Sequence, residues 1–202
     1  ALKCKGSSFK AWAGVRTEGE ISLFTDGKFC KSERGELQLT EYGISGIPVF
    51  QLSTYAVRAV REGHKAELHI NFMPELSEEE LKKLLYARKK ACPYKKEKEL
   101  LVGLFPEKLI KILISQKQLV SAIREFPLEV QDGMSFSQAQ VCSGGVDTSQ
   151  VNSQTMESKL CRGLYFAGEL LDIDGTCGGY NLQWAWSSGA VAGKNAAKEE
   201  KN

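Results

Sequence analysis

A switch in periodicity constrains the fold of this 202-residue chain more than any other feature. Short two-residue alternations on either side of one helical stretch mark residues 1–73, helical spacing takes over across 74–126, and alternation returns after Pro127. A chain that leaves a sheet, builds helices and comes back must carry those helices as an excursion between strands. The expected class is therefore α+β, a small β-barrel or sandwich bearing a helical subdomain.

In the first part, Phe9 to Val15 and Glu20 to Phe24 read as strands. Asp26-Gly27 is a two-residue hairpin turn into Lys28-Phe29-Cys30, and Gly35 opens a separate short strand, Glu36 to Thr40. Gly43 to Pro48 reads as a turn feeding a helix to about Arg61, with Pro48 in its first turn and Gly63 as a left-handed cap. Leu52, Tyr55, Ala56, Ala59 and Val60 share its inward face. Glu67 to Phe72 alternates strictly, with Leu68, Ile70 and Phe72 inward.

Ser77-Glu78-Glu79-Glu80 is a capping box, since the Ser hydroxyl and the third-position Glu each satisfy an orphan amide. The helix it starts carries Leu81, Leu84, Leu85 and Ala91 on one side and stops before Pro93. Further helices are expected over Lys98 to Leu104, Pro106 to Ile114 and Leu119 to Phe126, the last ended by Pro127. Strands return at Leu128 to Val130, Gln138 to Val141 and Leu164 to Ala167. A final helix covers Asn181 to Lys198, with Ala185, Gly189, Gly193 and Ala197 forming a small-residue stripe suited to close packing on a sheet. The charged run Lys198 to Lys201 ends the chain.

Lys plus Arg total 27 against 25 acidic residues, a net charge of +2, which is weak for a nucleic-acid binder. Twelve Lys/Arg and eight Glu fall between Glu75 and Glu125, read as a solvated helical surface. No apolar run approaches membrane-spanning length. The six cysteines form no C-x-x-C pair, so reduced thiols in a cytoplasmic protein are expected rather than a metal cluster. His64 and His69 read as surface residues, and Trp12, Trp184 and Trp186 as core or interface residues.

The densest chemical signal is Gly163 to Glu169, Leu170 to Thr176, then Gly178-Gly179-Tyr180-Asn181-Leu182-Gln183. It reads as a buried strand, an acidic glycine-rich loop and a helix start. Free amides at a helix N-terminus attract electron-rich ligand atoms, and paired glycines let a ligand approach. A tight strand-to-helix turn requires the same glycines for geometry alone, and the residue types leave both readings open.

Residues 163–185 resemble the C-terminal signature of the BaiN-like (aminoacetone-oxidase-like) FAD-dependent oxidoreductases. Gly35 to Gly46, Val141 to Val146 and Thr155 to Lys159 resemble further segments of that family, in order. No G-x-G-x-x-G is present, so the chain is similar to the C-terminal part of a member without its N-terminal Rossmann half. The resemblance implies an insert region over 1–73, a helical subdomain over 74–126, return strands over 127–140 and the last strands and helix of a Rossmann-like FAD domain over 141–202. It implies FAD in the parent protein, a small-molecule substrate and the N-terminal half as partner, with no nucleic acid or membrane. Alone, the chain would bind FAD weakly or not at all and be catalytically inert. Cofactor-binding positions carried over are Gly144 and Gly145 near the isoalloxazine, Gly168 and Glu169 near the ribityl–pyrophosphate, and Gly178, Gly179, Tyr180, Asn181 and Leu182 at the pyrimidine edge. Asp172 and Asp174 would shape the loop. Glu41 stands where relatives carry His, so no role of that His passes to this chain, and no catalytic residue is assigned. Cys177, with no second cysteine beside it, is not read as a redox partner. The competing expectation is a non-catalytic binding module that uses the basic helical surface.

Overall fold

The computed structural model describes residues 1–6 and 9–199, so the end of the charged tail lies outside the described residues. The chain forms two compact units, 1–134 and 135–202. Unit 1 is built on a closed antiparallel barrel of β1 (Leu2–Cys4), β2 (Arg16–Thr25), β3 (Lys28–Thr40), β4 (Gly43–Ser45), β5 (Ala66–Asn71) and β6 (Phe126–Gly133). The strand order is β1-β4-β3-β2-β5-β6, and β1 pairs with β6 to close it. Period-two patterning fills the interior: Ile21, Leu23, Leu37, Leu39, Ile44, Leu68 and Ile70 are fully buried. Asp26 and Gly27 both have positive φ, as the tight turn between β2 and β3 requires.

Three expectations for this region change. Residues 9–15 do not form a strand: Phe9–Trp12 is a short helix, α1. The buried residues there are Phe9, Trp12 and Val15, every third position, and the Phe9 and Trp12 rings stack at 5.3 Å. Gly35 does not break β3, which runs straight through it. Gly35 pairs with Gly19 across the ladder, and a Cβ on it would sit 3.2 Å from Pro48 Cγ, so it marks the close approach of the helix rather than a strand end. Gly43–Ser45 is a strand rather than a turn.

Helix α2 (Ile47–Arg61) packs Val49, Leu52, Ala56 and Ala59 against the barrel, with Pro48 in its first turn. Tyr55 turns outward instead, and Lys31 Nζ lies 5.4 Å from its ring centroid. Gly63 takes φ +87, and the Gly63 and His64 amides close the helix end on Val60 and Ala59.

Residues 72–125 leave and re-enter the barrel between the paired strands β5 and β6. They hold α3 (Glu78–Ala91), α4 (Glu97–Leu100), α5 (Glu107–Leu113) and α6 (Leu119–Arg124). The Ser77–Glu80 capping box forms in both directions. Leu81 is buried, but Ala91 is exposed, so the inward stripe of α3 is shorter than its spacing suggests. Phe126 belongs to β6, not α6, and Pro127 is the second residue of that strand, opposite His69. An aromatic chain of Phe9, Trp12, Phe126 and Phe72 runs under the insertion point, with successive rings 5.3, 5.4 and 6.1 Å apart. Lys108 Nζ donates to the Ala13 carbonyl at 2.8 Å, tying α5 to α1.

Unit 2 is mostly irregular up to α7 (Tyr180–Glu199), with 3₁₀ turns at Phe136–Gln138, Thr148–Gln150 and Gly168–Leu170. The strand expected at Gln138 to Val141 does not form. Leu164 to Ala167 makes only a single-residue bridge, Glu157 to Tyr165, because no second strand among the described residues offers it a ladder. A small cluster of Val151, Met156, Leu171 and Ala192 gives this unit its own core. The described cysteines are all free, and burial pushes the Cys4 thiol up to about 12. No described helix is long and apolar enough to cross a membrane.

Crowding and charge in unit 1 can each be put to a measurement. Gly46 holds φ +113, and a Cβ there would lie 2.4 Å from the Glu36 carbonyl oxygen. Gly46→Ala should therefore cost at least about 2 kcal/mol in urea melts. Gly63→Ala, with positive φ but open space, should cost clearly less. The Asp26 carboxyl accepts from the Lys65 amide at 2.9 Å and meets His64 Nδ1 at 2.8 Å, and these contacts lower its pKa. A lowered folded value stabilises above the ordinary Asp pKa of about 4 and fades as pH falls through the folded value. The Lys65 amide resonance should hold above about pH 4 and move on further acidification, and Asp26→Asn should abolish that movement.

Candidate functional site

The glycine-rich segments of unit 2 are organised by α7. Ser188 is only 2% exposed. Its hydroxyl accepts from the Gly168 amide at 2.9 Å and donates to the Trp184 carbonyl at 2.6 Å. Trp184 Nε1 donates back to the Gly168 carbonyl at 3.1 Å. Both backbone polar groups of Gly168 are thus taken by α7, and its φ of +65 suits glycine.

A second tie closes the loop ahead of the helix. Asn181 Oδ1 accepts from the Gly175 amide at 2.7 Å, and Asn181 Nδ2 donates to the Gly175 carbonyl at 3.0 Å. A third zips two distant segments together. The Val146 amide donates to the Leu170 carbonyl at 2.8 Å and the Asp172 amide to that of Val146 at 3.0 Å. The Gly144 amide donates to Asp172 Oδ1 at 2.9 Å, and the Cys142 amide to Glu169 Oε1 at 2.6 Å. A Cβ on Gly145 would lie 2.6 Å from the Leu170 carbonyl oxygen, so this glycine is required by the protein's own packing.

Three glycines remain whose side-chain space is open. Among the described residues, a Cβ on Gly144 or Gly179 would meet no atom within 4 Å, and one on Gly178 would meet only the Tyr180 ring at 3.8 Å. Gly178 and Gly179 hold φ +123 and +93 at the start of α7. The amides of Tyr180, Asn181 and Leu182 donate to no acceptor among the described residues, as first-turn amides do when no cap reaches them. The side chains of Tyr180, Leu182 and Trp186 are exposed. The result is an open, partly positive helix start. No group of His, Cys, Asp or Glu among the described residues could hold a metal ion.

A family model described as the HI0933-like protein Rossmann domain matches residues 27–195. The chain belongs to the HI0933-like family. It is 39% identical, over 98% of its length and 52% of the relative's, to the 3-dehydro-bile acid delta(4,6)-reductase of Clostridium scindens. It is 36% identical to the ribosomal RNA dihydrouridine synthase of Haemophilus influenzae, over 78% of this chain and 41% of that one. It is 33% identical to the Escherichia coli enzyme of the same name, over 77% and 40%. The chain thus spans about half the length of the curated relatives it matches.

Within this HI0933-like chain, the nine positions singled out in the sequence divide by what occupies them. Gly145, Gly168 and the Asn181 side chain are committed to internal contacts, and Glu169 gives one oxygen to Cys142. Gly144, Gly178, Gly179, Tyr180 and Leu182 face open space or solvent. Asp172 shapes the loop through Gly144, as expected. Of the small-residue stripe, Ala185 lies against Gly168, where a Cβ would meet its Cβ at 3.6 Å, whereas a Cβ on Gly189 or Gly193 would meet no described atom within 4 Å. Trp186 is 68% exposed, whereas Trp184 is partly buried. Sequence reasoning missed Ser188 and Trp184 as the pair that holds Gly168. Their signal was the one-turn spacing between an indole donor and a small hydroxyl, on the face toward Ala192.

Ser188→Ala would leave the buried Gly168 amide without an acceptor. It should destabilise unit 2 by about 1–3 kcal/mol, seen as faster hydrogen exchange at Gly168 with β2 and β5 amides unchanged.

Proposed function

We propose that the chain supplies the substrate-side domain and part of the cofactor-holding domain of an FAD-dependent reductase. Its target would be a carbon–carbon double bond conjugated to a carbonyl. The observation that carries this reading is the identity to the bile acid reductase across nearly the whole chain. The relatives' names share one chemistry. A 3-oxo-delta(4,6) steroid and a uridine ring both present an alkene conjugated to a carbonyl, and each name denotes saturation of such a bond.

FAD, when bound, supplies hydride chemistry. The open helix start of α7 fits such a group. The Tyr180, Asn181 and Leu182 amides would offer partial positive charge to an electron-rich ring edge. Gly178 and Gly179 would keep the approach clear, and Gly144 would leave room beside the ring. Glu169, with one oxygen held by Cys142, would keep the other for ribityl hydroxyls. Gly145, Gly168 and the Asn181 side chain would act by fixing the loops. The 202-residue chain alone would neither hold FAD firmly nor turn over.

A second reading is favoured by one observation, the basic run in the helical subdomain. On it the substrate is a uridine within RNA, as the names of the two dihydrouridine synthases have it.

The test replaces the matching part of the Clostridium scindens reductase with this chain and compares the chimera with the chain alone. The chimera should purify yellow and reduce a 3-oxo-delta(4,6) steroid acid but not uridine in ribosomal RNA. The chain alone should leave the spectrum of added FAD unchanged. A soluble, cooperatively melting chimera without flavin would overturn the flavoprotein reading. Reduction of RNA uridine alone would replace the steroid reading with the second one. Tight FAD binding by the chain alone would show its pocket to be complete.

A further inference from the structure

The helical subdomain contains a groove of about 380 Å³ that the sequence did not announce. Its walls come from α3, α4 and α6, with Leu85, Leu100, Leu119 and Val120 forming an apolar floor. Tyr86 stands at its edge, 69% exposed. Arg88 maintains the walls: its Nε donates to the Leu100 carbonyl at 2.7 Å and a terminal nitrogen to the Val102 carbonyl at 2.8 Å, tying α3 to the chain around α4. The volume lies in the lower range of small-molecule sites, on the order of 300–1,000 Å³.

Charge narrows the occupant. Between Lys82 and Lys98 there are eight Lys/Arg and one Glu. Lys82 and Lys98 pair with Glu78 and Glu107, and Arg88 is spent on carbonyls. Lys89, which lines the groove, has no ion-pair partner among the described residues. An apolar floor beside an ammonium that no described carboxylate pairs with suits a molecule with a rigid apolar body and one anionic end. Glu97 and Gln118, also at the groove, can accept from and donate to hydroxyls on that body.

We propose that this groove binds a hydroxylated alicyclic carboxylic acid, with its ring body on the Leu85–Leu100–Leu119–Val120 floor and its carboxylate at Lys89. The choice of a steroid acid rests on the reductase reading above, whereas the affinity for an apolar anion rests on the groove itself.

The test titrates the 202-residue chain, without flavin, with deoxycholate below its micelle concentration, using calorimetry. A neutral steroid alcohol and a uridine-rich oligoribonucleotide serve as comparison probes. Deoxycholate should bind saturably. Lys89→Glu should weaken it at least tenfold while changing the neutral steroid little, and Tyr86→Ala should weaken both steroids, with melting curves unchanged. Absence of saturable deoxycholate binding would overturn the proposal, as would binding indifferent to both substitutions. Binding of the oligoribonucleotide, lost in Lys89→Glu, with none of deoxycholate would assign the surface to RNA instead. A yellow, steroid-reducing chimera whose groove ignores deoxycholate would overturn only this site. Deoxycholate binding by the chain beside a colourless chimera would overturn only the reductase reading.

Discussion

Closure of the barrel depends on a three-residue strand that accepts neighbours on both sides at less than side-chain distance. β4 lies between β1 and β3. A Cβ on Gly43 would lie 2.5 Å from the Leu2 carbonyl oxygen, and one on Gly46 would lie 2.4 Å from that of Glu36. With side chains at those places β4 could not seat, β1 would lose one of its two partners, and the ring would open between β1 and β3. An open ring exposes strand edges and the fully buried row of Ile21, Leu37, Leu39 and Ile44. The same short segment launches α2, so barrel closure and the packing of the main covering helix share one origin.

A closed ring also explains how the chain tolerates so long an excursion. β5 and β6 remain paired on either side of residues 72–125, and each has a second strand neighbour, β2 and β1. The insertion therefore hangs from a ladder already fixed on both flanks, and lengthening the loop adds closure entropy only slowly. The aromatic chain from Phe9 to Phe72 gives the helices a footing on that ladder. Unit 2 works differently. Its extended segments find single bridges rather than ladders, and side chains on α7 stand in for strands by satisfying loop amides directly.

Much of unit 1 is legible in the sequence because alternation and capping are local signals. The strand Ala66–Asn71 and the Ser77–Glu80 box follow directly from neighbouring residue types. Residues 9–15 mislead because a loose run of apolar residues does not say whether its period is two or three until a partner is present. Here that partner is the Thr40 carbonyl, which accepts from the Trp12 indole. Gly35 misleads because glycine writes the same letter for a strand end and for a close approach, and the approaching atom, Pro48 Cγ, lies thirteen residues on. Leu164 to Ala167 has strand composition, yet a strand is a property of two segments.

The glycine-rich region carries the same ambiguity into function. Gly145 and Gly179 are alike in sequence, and both take positive φ, but one is crowded by the Leu170 carbonyl and the other faces open space. Only the second kind can be spared for a ligand, because no described atom already occupies the place of its missing side chain. Charge behaves in a parallel way. A net value of +2 averages over the whole chain and hides a run of eight cations against one carboxylate along α3 and the start of α4. Salt bridges then remove Lys82 and Lys98 from that run, and backbone carbonyls remove Arg88. What reaches a ligand is the charge left after internal pairing, a quantity set by tertiary contacts and not by composition.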